Sequence, residues 1–373
     1  MKRTRSQNTH SYQSLEDRRC MAVVVGASDG NMYVEGNANG IVEVYAVGEQ
    51  AFAVRDNGIQ IGGVIENVTG NLKISLDQSG GAQNDHVRIE MLDEAFQNIR
   101  VDLGDGNNHV ELTGTHRTGF EPSHYVQRVQ VFGGAGDDTI DVDLITNTSV
   151  YASTGGGNDT LTQYANSGLV QFVSGNGDDT LNVLQDKDPK IGRVVGRMGA
   201  GDDSVFFNAK AYGDLAIWAG SGNDDVEIGP DAVLLNSFAH LGDGDNTLGL
   251  SGWVAGHLRV RAAQGNDTIN LRENSFAANA GILLGNGVNT YNLAGVTKND
   301  FFVRGGSGTD DVNLESTYRG VNFRAVLGDG DNELHNIGEI SGDLVGISRN
   351  SLDTLLNDGI VDGRIYLKPG GQA

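Results

Sequence analysis

One short phrase, Gly-x-Gly-x-Asp/Asn-x-apolar, repeatedly places a carboxylate or an amide at a fixed position of a glycine-rich turn. It occurs eleven times, with starts at residues 104, 134, 155, 175, 199, 220, 242, 263, 285, 306 and 328. Its fifth position is aspartate in seven copies: Asp138, Asp159, Asp179, Asp203, Asp224, Asp267 and Asp310. The other four copies have asparagine: Asn108, Asn246, Asn289 and Asn332. Carboxylates and the carbonyls freed by a glycine turn are hard oxygen ligands, so the seven aspartates are candidate ligands of Ca²⁺.

The spacing of the phrase predicts how these aspartates are arranged. After a first interval of 30 residues, successive starts lie 20 to 24 residues apart, mostly 21 or 22. Such a period is typical of a solenoid in which each repeat forms one coil. Stacked coils lie about 4.8 Å apart, which would bring the carboxylates into one file. Neighbouring carboxylates would repel by roughly 1 kcal/mol even in water, which favours a cation between the turns.

A metal-free arrangement of the same turns is also open. The Asp and Asn side chains could accept hydrogen bonds from backbone amides of the neighbouring coil and form an Asx ladder. The copy at residue 285, GNGVNTY, contains no carboxylate, and four copies have Asn. Calcium is therefore expected first in the seven Asp copies.

Apolar residues alternate with polar ones on both sides of the phrase. Ile140 and Val142 follow one copy, and Val129 and Val131 precede it. This period of two predicts a strand on each side of the turn, with one face buried. The second glycine of the phrase is present in every copy, which predicts a positive φ or a close approach to the next turn. The expected fold is all-β, a right-handed parallel β-helix (β-solenoid) of about 21–22 residues per coil.

The expected organisation has four parts. Residues 1–22 are predicted to be a disordered N-terminal sorting segment, and residues 23–97 to form strand-rich leading coils or a cap. Residues 98–340 form the repeat β-helix, and residues 341–373 a C-terminal cap. In that cap, residues 351–359 are predicted to form a short helix with Ser351 as its N-cap.

Composition narrows the range of partners. Lys and Arg number 26 against 49 Asp and Glu, a formal charge of −23, which argues against nucleic acid. Cations are the natural partners of such a chain. The one cysteine, Cys20, excludes an intrachain disulfide framework. No apolar run is long enough to predict a membrane span.

The turn phrase resembles the GGxGxDxUx nonapeptide of the RTX, or hemolysin-type, calcium-binding repeats. The likeness is strongest in GGAGDDTI (residues 133–140) and GGSGTDDV (residues 305–312). The resemblance implies a secreted protein whose glycine-aspartate turns bind calcium, with the seven aspartates supplying side-chain ligands. RTX repeats recur every nine residues with two turns per coil, whereas here one turn per coil carries the phrase. A single file of sites along one edge is therefore expected.

A second resemblance lies near the N-terminus. Residues 15–22, LEDRRCMA, are similar to the L-E-x-R-x-L-L-A sorting motif of large exported proteins of planctomycete-type bacteria, with Cys20 and Met21 in place of the two leucines. Lys2, Arg3 and Arg5 give this segment a basic start. The resemblance implies export from the cell.

These observations predict a non-enzymatic, extracellular or cell-surface calcium-binding β-solenoid with a structural or adhesive role. Its partners would be calcium ions and surface glycans or other cell-surface proteins. The alternative is a carbohydrate-active β-helix enzyme of the polysaccharide lyase or epimerase type. A lyase needs a basic residue near calcium, and Arg259, Arg261 and Arg272 form the best local cluster. They are expected to be outward surface charges instead, because they alternate with apolar residues along strands.

Overall fold

Strands account for all the long regular elements of the chain. The computed structural model describes residues 23–38, 40–76, 83–91, 96–114, 126–184, 191–350, 352–368 and 370. Within these ranges there are 37 strands and no helix. A helix that could cross a membrane is accordingly not found in this part of the chain.

The strands are short and follow one another at nearly regular intervals. The first nine are β1 (Val24–Ser28), β2 (Asn31–Gly36), β3 (Ile41–Gly48), β4 (Ala51–Asp56), β5 (Ile59–Ile65), β6 (Leu72–Leu76), β7 (His86–Met91), β8 (Asn98–Gly104) and β9 (His109–Gly114). The next fifteen are β10 (Val126–Gly133), β11 (Thr139–Asp143), β12 (Thr146–Gly156), β13 (Thr160–Gln163), β14 (Ser167–Asn176), β15 (Thr180–Leu184), β16 (Ile191–Ala200), β17 (Ser204–Asn208), β18 (Asp214–Ser221), β19 (Asp225–Ile228), β20 (Val233–Leu234), β21 (Asn236–Asp243), β22 (Thr247–Leu250), β23 (Trp253–Ala262) and β24 (Thr268–Leu271). The last thirteen are β25 (Phe276–Leu283), β26 (Asn289–Leu293), β27 (Val296–Thr297), β28 (Asp300–Arg304), β29 (Asp310–Leu314), β30 (Arg319–Gly320), β31 (Asn322–Val326), β32 (Glu333–Asn336), β33 (Glu339–Ile340), β34 (Leu344–Ile347), β35 (Thr354–Asn357), β36 (Ile360–Val361) and β37 (Ile365–Lys368).

Each coil takes the same course through two sheets. A strand of the 21-stranded first sheet leads into the glycine turn, and a strand of the 16-stranded second sheet leads out of it. A return segment closes the coil, and in five coils it contains a two-residue strand of its own: β20, β27, β30, β33 and β36. The coil that begins with β18 thus continues through β19 and β20 before β21 opens the next one.

Residues one period apart lie directly over one another. In the second sheet Val205 pairs with Val226, and Val226 pairs with Leu248, all in parallel register. In the first sheet Val194 pairs with Leu215. The predicted parallel β-solenoid, with coils of about 21–22 residues, is confirmed.

The alternating apolar residues fill the space between the sheets. Val129 and Val131 of the first sheet and Ile140 and Val142 of the second are all at most 1 % exposed. They belong to one hydrophobic core that runs through the stack of coils. Because each buried aliphatic side chain contributes about 1.5–3 kcal/mol, this continuous core is the main source of stability.

The second glycine of the phrase meets two backbone demands at once. Its φ is positive in all eleven copies, between 111° and 141°. In Gly222, a Cβ atom would also lie only 1.9 Å from the carbonyl oxygen of Gly201 in the preceding coil. The Gly222 amide donates a hydrogen bond to the carbonyl of Asp243 in the following coil, at 3.0 Å. Glycine is therefore the residue that lets successive turns stack this closely.

Antiparallel hairpins open the structure. β1 pairs antiparallel with β2, and β3, β4 and β5 form an antiparallel meander. The same segment joins the stack, because β2 pairs in parallel with β6 and β3 with β7. An irregular leading segment of this kind covers an open sheet edge, which would otherwise attract another chain.

The short helix predicted within residues 351–359 is wrong. β35 occupies Thr354–Asn357 and pairs in parallel with β32, so that Leu355 lies over Leu334. Stacking on the preceding coil outweighs the local helix signals, since it buries apolar surface and satisfies backbone groups that an isolated short helix would leave to water. Ser351, the predicted N-cap, lies outside the described residues, as do residues 1–22.

A pair of glycine substitutions tests the close stacking of the turns. We expect Gly222→Ala to destabilise the fold by about 2–4 kcal/mol, because it combines a positive φ with backbone overlap. Gly281→Ala is the matched control, since a Cβ there has no atom within 4 Å. Thermal or urea unfolding should show no loss of stability for the control. Equal effects of the two substitutions would contradict the stacking account.

Candidate metal centre in the aspartate turns

The seven predicted aspartates lie in one buried file, where the first sheet turns into the second. With the four asparagines they occupy successive rungs, and Asp85 and Asp353 extend the file at its two ends. All thirteen side chains are at most 7 % exposed. The predicted file is therefore present, while its occupation by calcium stays a prediction.

One oxygen of each side chain holds two coils together. The backbone amide of Asp159 donates to Oδ1 of Asp179, whose own amide donates to Oδ1 of Asp203, both at 2.8 Å. The same kind of bond, at 2.8–3.2 Å, joins each successive pair of rungs between Asp85 and Asp353, with one exception. There, the Asn289 amide donates to the carbonyl of Thr309. We call this row the inner ladder.

The preceding position of the phrase forms a second ladder of opposite direction. The amide of Asp202 donates to Oδ1 of Asp178 in the coil before it, at 2.8 Å, and the Asn223 amide donates to Oδ1 of Asp202 at 2.7 Å. These bonds continue at 2.7–2.9 Å from Asn84 to Val288. This outer ladder is exposed, and Asn residues interrupt its carboxylates. Its charges are therefore diluted and screened by water.

The second oxygen of each predicted aspartate has no hydrogen-bond partner. Among the described residues, these buried and unpartnered Oδ2 atoms belong to Asp138, Asp159, Asp179, Asp203, Asp224, Asp267 and Asp310. The hydroxyl groups of Thr154 and Ser174 face Asp159 and Asp179, and the backbone amides of Gly134 and Gly328 face Asp138 and Asp310. None of these groups forms a hydrogen bond of good geometry to Oδ2. A buried carboxylate oxygen without a donor is costly unless a proton or a cation meets it.

The asparagine rungs show what surrounds this second atom. Oδ1 of Asn108 accepts from the preceding coil, as an aspartate does, and its Nδ2 donates to the carbonyl oxygens of Gly104 and Gly106 at 3.2 and 2.9 Å. Nδ2 of Asn246 likewise donates to the carbonyl of Gly244 at 2.9 Å. On an aspartate rung, Oδ2 takes the place of the asparagine Nδ2, so an oxygen acceptor replaces an N–H donor. Carbonyl oxygens beside a carboxylate are the surroundings that a hard cation requires.

The residue before the phrase distinguishes the two kinds of rung. It is leucine before all four asparagine copies: Leu103, Leu241, Leu284 and Leu327. Before the seven aspartate copies it is smaller, hydroxylated or flexible: Gly133, Thr154, Ser174, Met198, Ala219, Ala262 and Gly305. A Cβ on Gly133 would lie 1.8 Å from Oδ2 of Asp138, and one on Gly305 would lie 1.6 Å from Oδ2 of Asp310. The charged rungs thus coincide with the absence of leucine at this position, and at Gly133 and Gly305 Oδ2 itself occupies the space that a side chain would fill.

Burial raises the pKa of the inner-ladder carboxyl groups. The pKa of Asp138 and that of Asp203 rise to about 7, and the pKa of Asp159, Asp224 and Asp310 rises to about 6, in each case mainly by loss of water. The pKa of Asp179 and of Asp267 also moves upward for the same reason. Without a cation, these groups therefore hold protons far more readily than an ordinary aspartate.

The turn phrase did not identify every rung. Asp353 follows Asn332 by one period, but its turn lacks the second glycine, so only the stacking places it in the file.

The arginine cluster considered for a lyase is divided by the fold. Arg259 and Arg261 project from β23 in the first sheet, whereas Arg272 follows β24 of the second sheet and binds Glu227.

A shallow groove crosses the outer face of the first sheet. It encloses about 330 Å³, and its lining includes Arg193 of β16, Trp218 of β18, Phe238 of β21 and Arg259 of β23. The rings of Trp218 and Phe238 lie 5.6 Å apart at an angle of 57°. The guanidinium of Arg197 lies 5.4 Å from the centre of the Trp218 ring. Aromatic rings and cations therefore share one surface.

Two arginines and one carboxylate line this groove: Arg193, Arg259 and Asp214. Neither arginine, nor Arg197 or Arg261 of the same sheet, forms an ion pair with a carboxylate in the described ranges. The whole chain carries a formal charge of −23. The groove is thus less acidic than the chain as a whole.

Fold and site together define a β-solenoid whose coils are joined along one edge by two Asx ladders. A scan against protein-family models finds no family that matches the chain. Searches of curated proteins and of solved structures likewise find no match. The resemblance to RTX repeats thus rests on the turn residues themselves.

The raised pKa values of the inner ladder predict an unusual pH dependence in calcium-free buffer. Between the unfolded pKa near 4 and the folded values of about 6 to 7, the folded state binds more protons than the unfolded state. The melting temperature should therefore rise as the pH is lowered from about 7.5 to about 5.5, and it should decrease when the pH is raised through the same range.

Two double variants separate this effect from a general reduction of net charge. Asp138→Asn/Asp203→Asn removes two buried groups whose pKa is about 7, so the rise should become smaller. Asp137→Asn/Asp202→Asn removes the same number of charges from the outer ladder of the same coils. Identical pH profiles for the two double variants would contradict the assignment of the effect to the inner ladder.

Proposed function

We propose that this chain is an exported, calcium-binding β-solenoid with a structural and adhesive role at the cell surface. The observation that carries the proposal is the file of seven buried Oδ2 atoms without a hydrogen-bond donor. The resemblance of the turns to RTX repeats supports calcium, and the similarity of residues 15–22 to an export motif supports the cell surface. An unbroken stack of coils suits a spacer that holds other groups at a distance.

Calcium fits these turns better than other common metals. The available ligand atoms are carboxylate Oδ2 and backbone carbonyl oxygens, and Ca²⁺ accepts six to eight such oxygens in flexible geometry. Zinc and copper prefer nitrogen or sulfur ligands, which the inner ladder does not supply. Oδ1 stays in its ladder bond, so binding through Oδ2 leaves the stacking of the coils unchanged.

Calcium should therefore stabilise the fold by mass action. We expect the melting temperature in millimolar Ca²⁺ to exceed that in a chelator by several degrees, because one site saturated 100-fold above its Kd contributes about 2.7 kcal/mol. The chelator-treated protein should recover on addition of Ca²⁺, and Mg²⁺ should act less strongly, since it demands a stricter octahedral geometry.

Substitution in the inner ladder locates the effect. Asp159→Asn/Asp224→Asn should reduce the calcium-dependent shift, while its melting temperature in chelator stays equal to or above that of the parent protein. The outer-ladder variant Asp178→Asn/Asn223→Asp conserves charge and serves as control. A calcium shift that is absent from the parent protein, or unaltered in the inner-ladder variant, would reject calcium and leave a metal-free Asx ladder.

The groove on the first sheet supports the adhesive part of the proposal. Guanidinium groups beside two aromatic rings suit a polymer that carries both carboxylates and sugar rings, because guanidinium pairs with carboxylate and aromatic faces contact sugar C–H groups. We assign to this groove an acidic polysaccharide, such as one containing uronate residues. Proteins of the cell surface are the competing class of partner.

Binding to immobilised polyuronate tests this assignment. Trp218→Ala and Arg259→Ser should each weaken retention about tenfold or more, by loss of ring contact and of a charge pair. Trp253→Ala is the matched control, because Trp253 stacks on Phe276 at 3.8 Å and is not among the groove residues. Undiminished retention of both groove variants would contradict the assignment.

The same assay addresses the lyase form of the enzymatic alternative, since an epimerase would leave the length and the ends of the polymer unchanged. The soluble fraction is measured for new reducing ends and for the absorbance of unsaturated uronates. A binding protein leaves the polymer intact. Time-dependent release that Arg259→Ser abolishes would replace adhesion with polysaccharide cleavage as the function.

A further inference from the structure

Two histidines stack on the outer face of the second sheet. Their imidazole nitrogens are a different kind of ligand from the oxygen atoms of the inner ladder. His86 of β7 and His109 of β9 are register partners, and their ring centroids lie 4.5 Å apart. Nε2 of His86 lies 3.2 Å from Oε1 of Glu111. Nε2 of His109 lies 3.7 Å from the same oxygen and 3.2 Å from Oδ2 of Asp141 in the next coil. Three ligand atoms of two successive coils, from His86, His109 and Glu111, therefore converge, whereas Asp141 of the next coil contacts His109 alone.

These distances match the edges of a tetrahedral metal site. Zn–N and Zn–O bonds of about 2.0–2.1 Å place the ligand atoms of a tetrahedron about 3.3–3.4 Å from one another. The separations of 3.2 and 3.7 Å between Oε1 of Glu111 and the Nε2 atoms of His86 and His109 fall around that value. The ligand atoms of His86, His109 and Glu111 all lie within 4.8 Å of one another.

The surroundings of the cluster suit a divalent cation. Nε of Arg88 donates to Oε2 of Glu111 at 2.6 Å, which fixes this carboxylate and leaves Oε1 turned toward the two rings. Such outer hydrogen bonds commonly orient the ligands of metal sites. The carboxylates of Glu43, Glu111 and Asp141 outnumber the one guanidinium. Burial, and then the neighbouring His109, lower the pKa of His86, so its ring is a neutral donor at neutral pH.

We propose that His86, His109 and Glu111 form a zinc-binding site on the second sheet, with water as the fourth ligand, separate from the proposed calcium-binding turns. Imidazole nitrogen selects zinc and its first-row neighbours over calcium, whereas the inner ladder offers oxygen alone. The site joins two successive coils through their side chains. Zinc therefore ties the leading coils to the regular repeat at the point where the antiparallel hairpins end.

Metal titration of the full chain in millimolar Ca²⁺ tests this site. With the turns already supplied with calcium, Zn²⁺ should bind with a stoichiometry of about one, measured by competition with a chromophoric chelator. Co²⁺ in place of zinc should give the intense visible absorption of a tetrahedral complex. His86→Asn/His109→Asn and Glu111→Gln should each weaken binding at least tenfold.

His335→Asn is the matched control for the histidine variants. His335 faces outward from β32 of the same sheet and pairs with Asp358 at 3.0 Å, without a second histidine. It should bind zinc like the parent protein, and unchanged melting temperatures in Ca²⁺ would show that each variant is folded. Equal zinc affinity in the parent and in the double histidine variant would overturn the proposal. So would an octahedral Co²⁺ spectrum in the parent protein.

Discussion

The close approach of successive turns is the constraint from which the rest of this structure follows. At the second glycine of each phrase, one backbone lies against the carbonyl of the coil below, with no space for a Cβ. The amides exposed by such a turn need acceptors in the neighbouring coil. Asp and Asn supply them, because their short side chains reach one coil away, and the inner and outer ladders satisfy amides in opposite directions. Turn chemistry and coil stacking are thus one interaction.

The inner ladder creates an electrostatic conflict that an amide avoids. Asn108 satisfies a backbone amide with Oδ1 and two carbonyl oxygens with Nδ2. Asp138 can accept the backbone amide with Oδ1 but cannot donate to the carbonyl oxygens, so its Oδ2 is left buried without a donor. Selection for stability alone would favour Asn on every rung, since burying unpaired charge is unfavourable. The calcium sites proposed above would give each of the seven Oδ2 atoms the partner that the ladder bonds do not supply.

The repeat made most of the fold predictable from the sequence. A period of 21 to 22 residues sets which side chains lie over one another, and the alternation around Ile140 and Val142 sets which face is buried. Local signals failed at residues 351–359, where stacking outweighed a helix motif. The His86 and His109 cluster was also missed. The two histidines are register partners 23 residues apart, close to one period, but the turn before His86 lacks the second glycine of the phrase and so does not stand out as a repeat.

Crystals grown in Ca²⁺ and measured for anomalous scattering give the most direct test of the central claim, that the buried file holds cations. The account predicts peaks within bonding distance of Oδ2 on the seven aspartate rungs, and none where Leu103 and Asn108, or the equivalent pairs, close the space. Oδ2 atoms without adjacent density, or cations confined to the outer ladder, would contradict it.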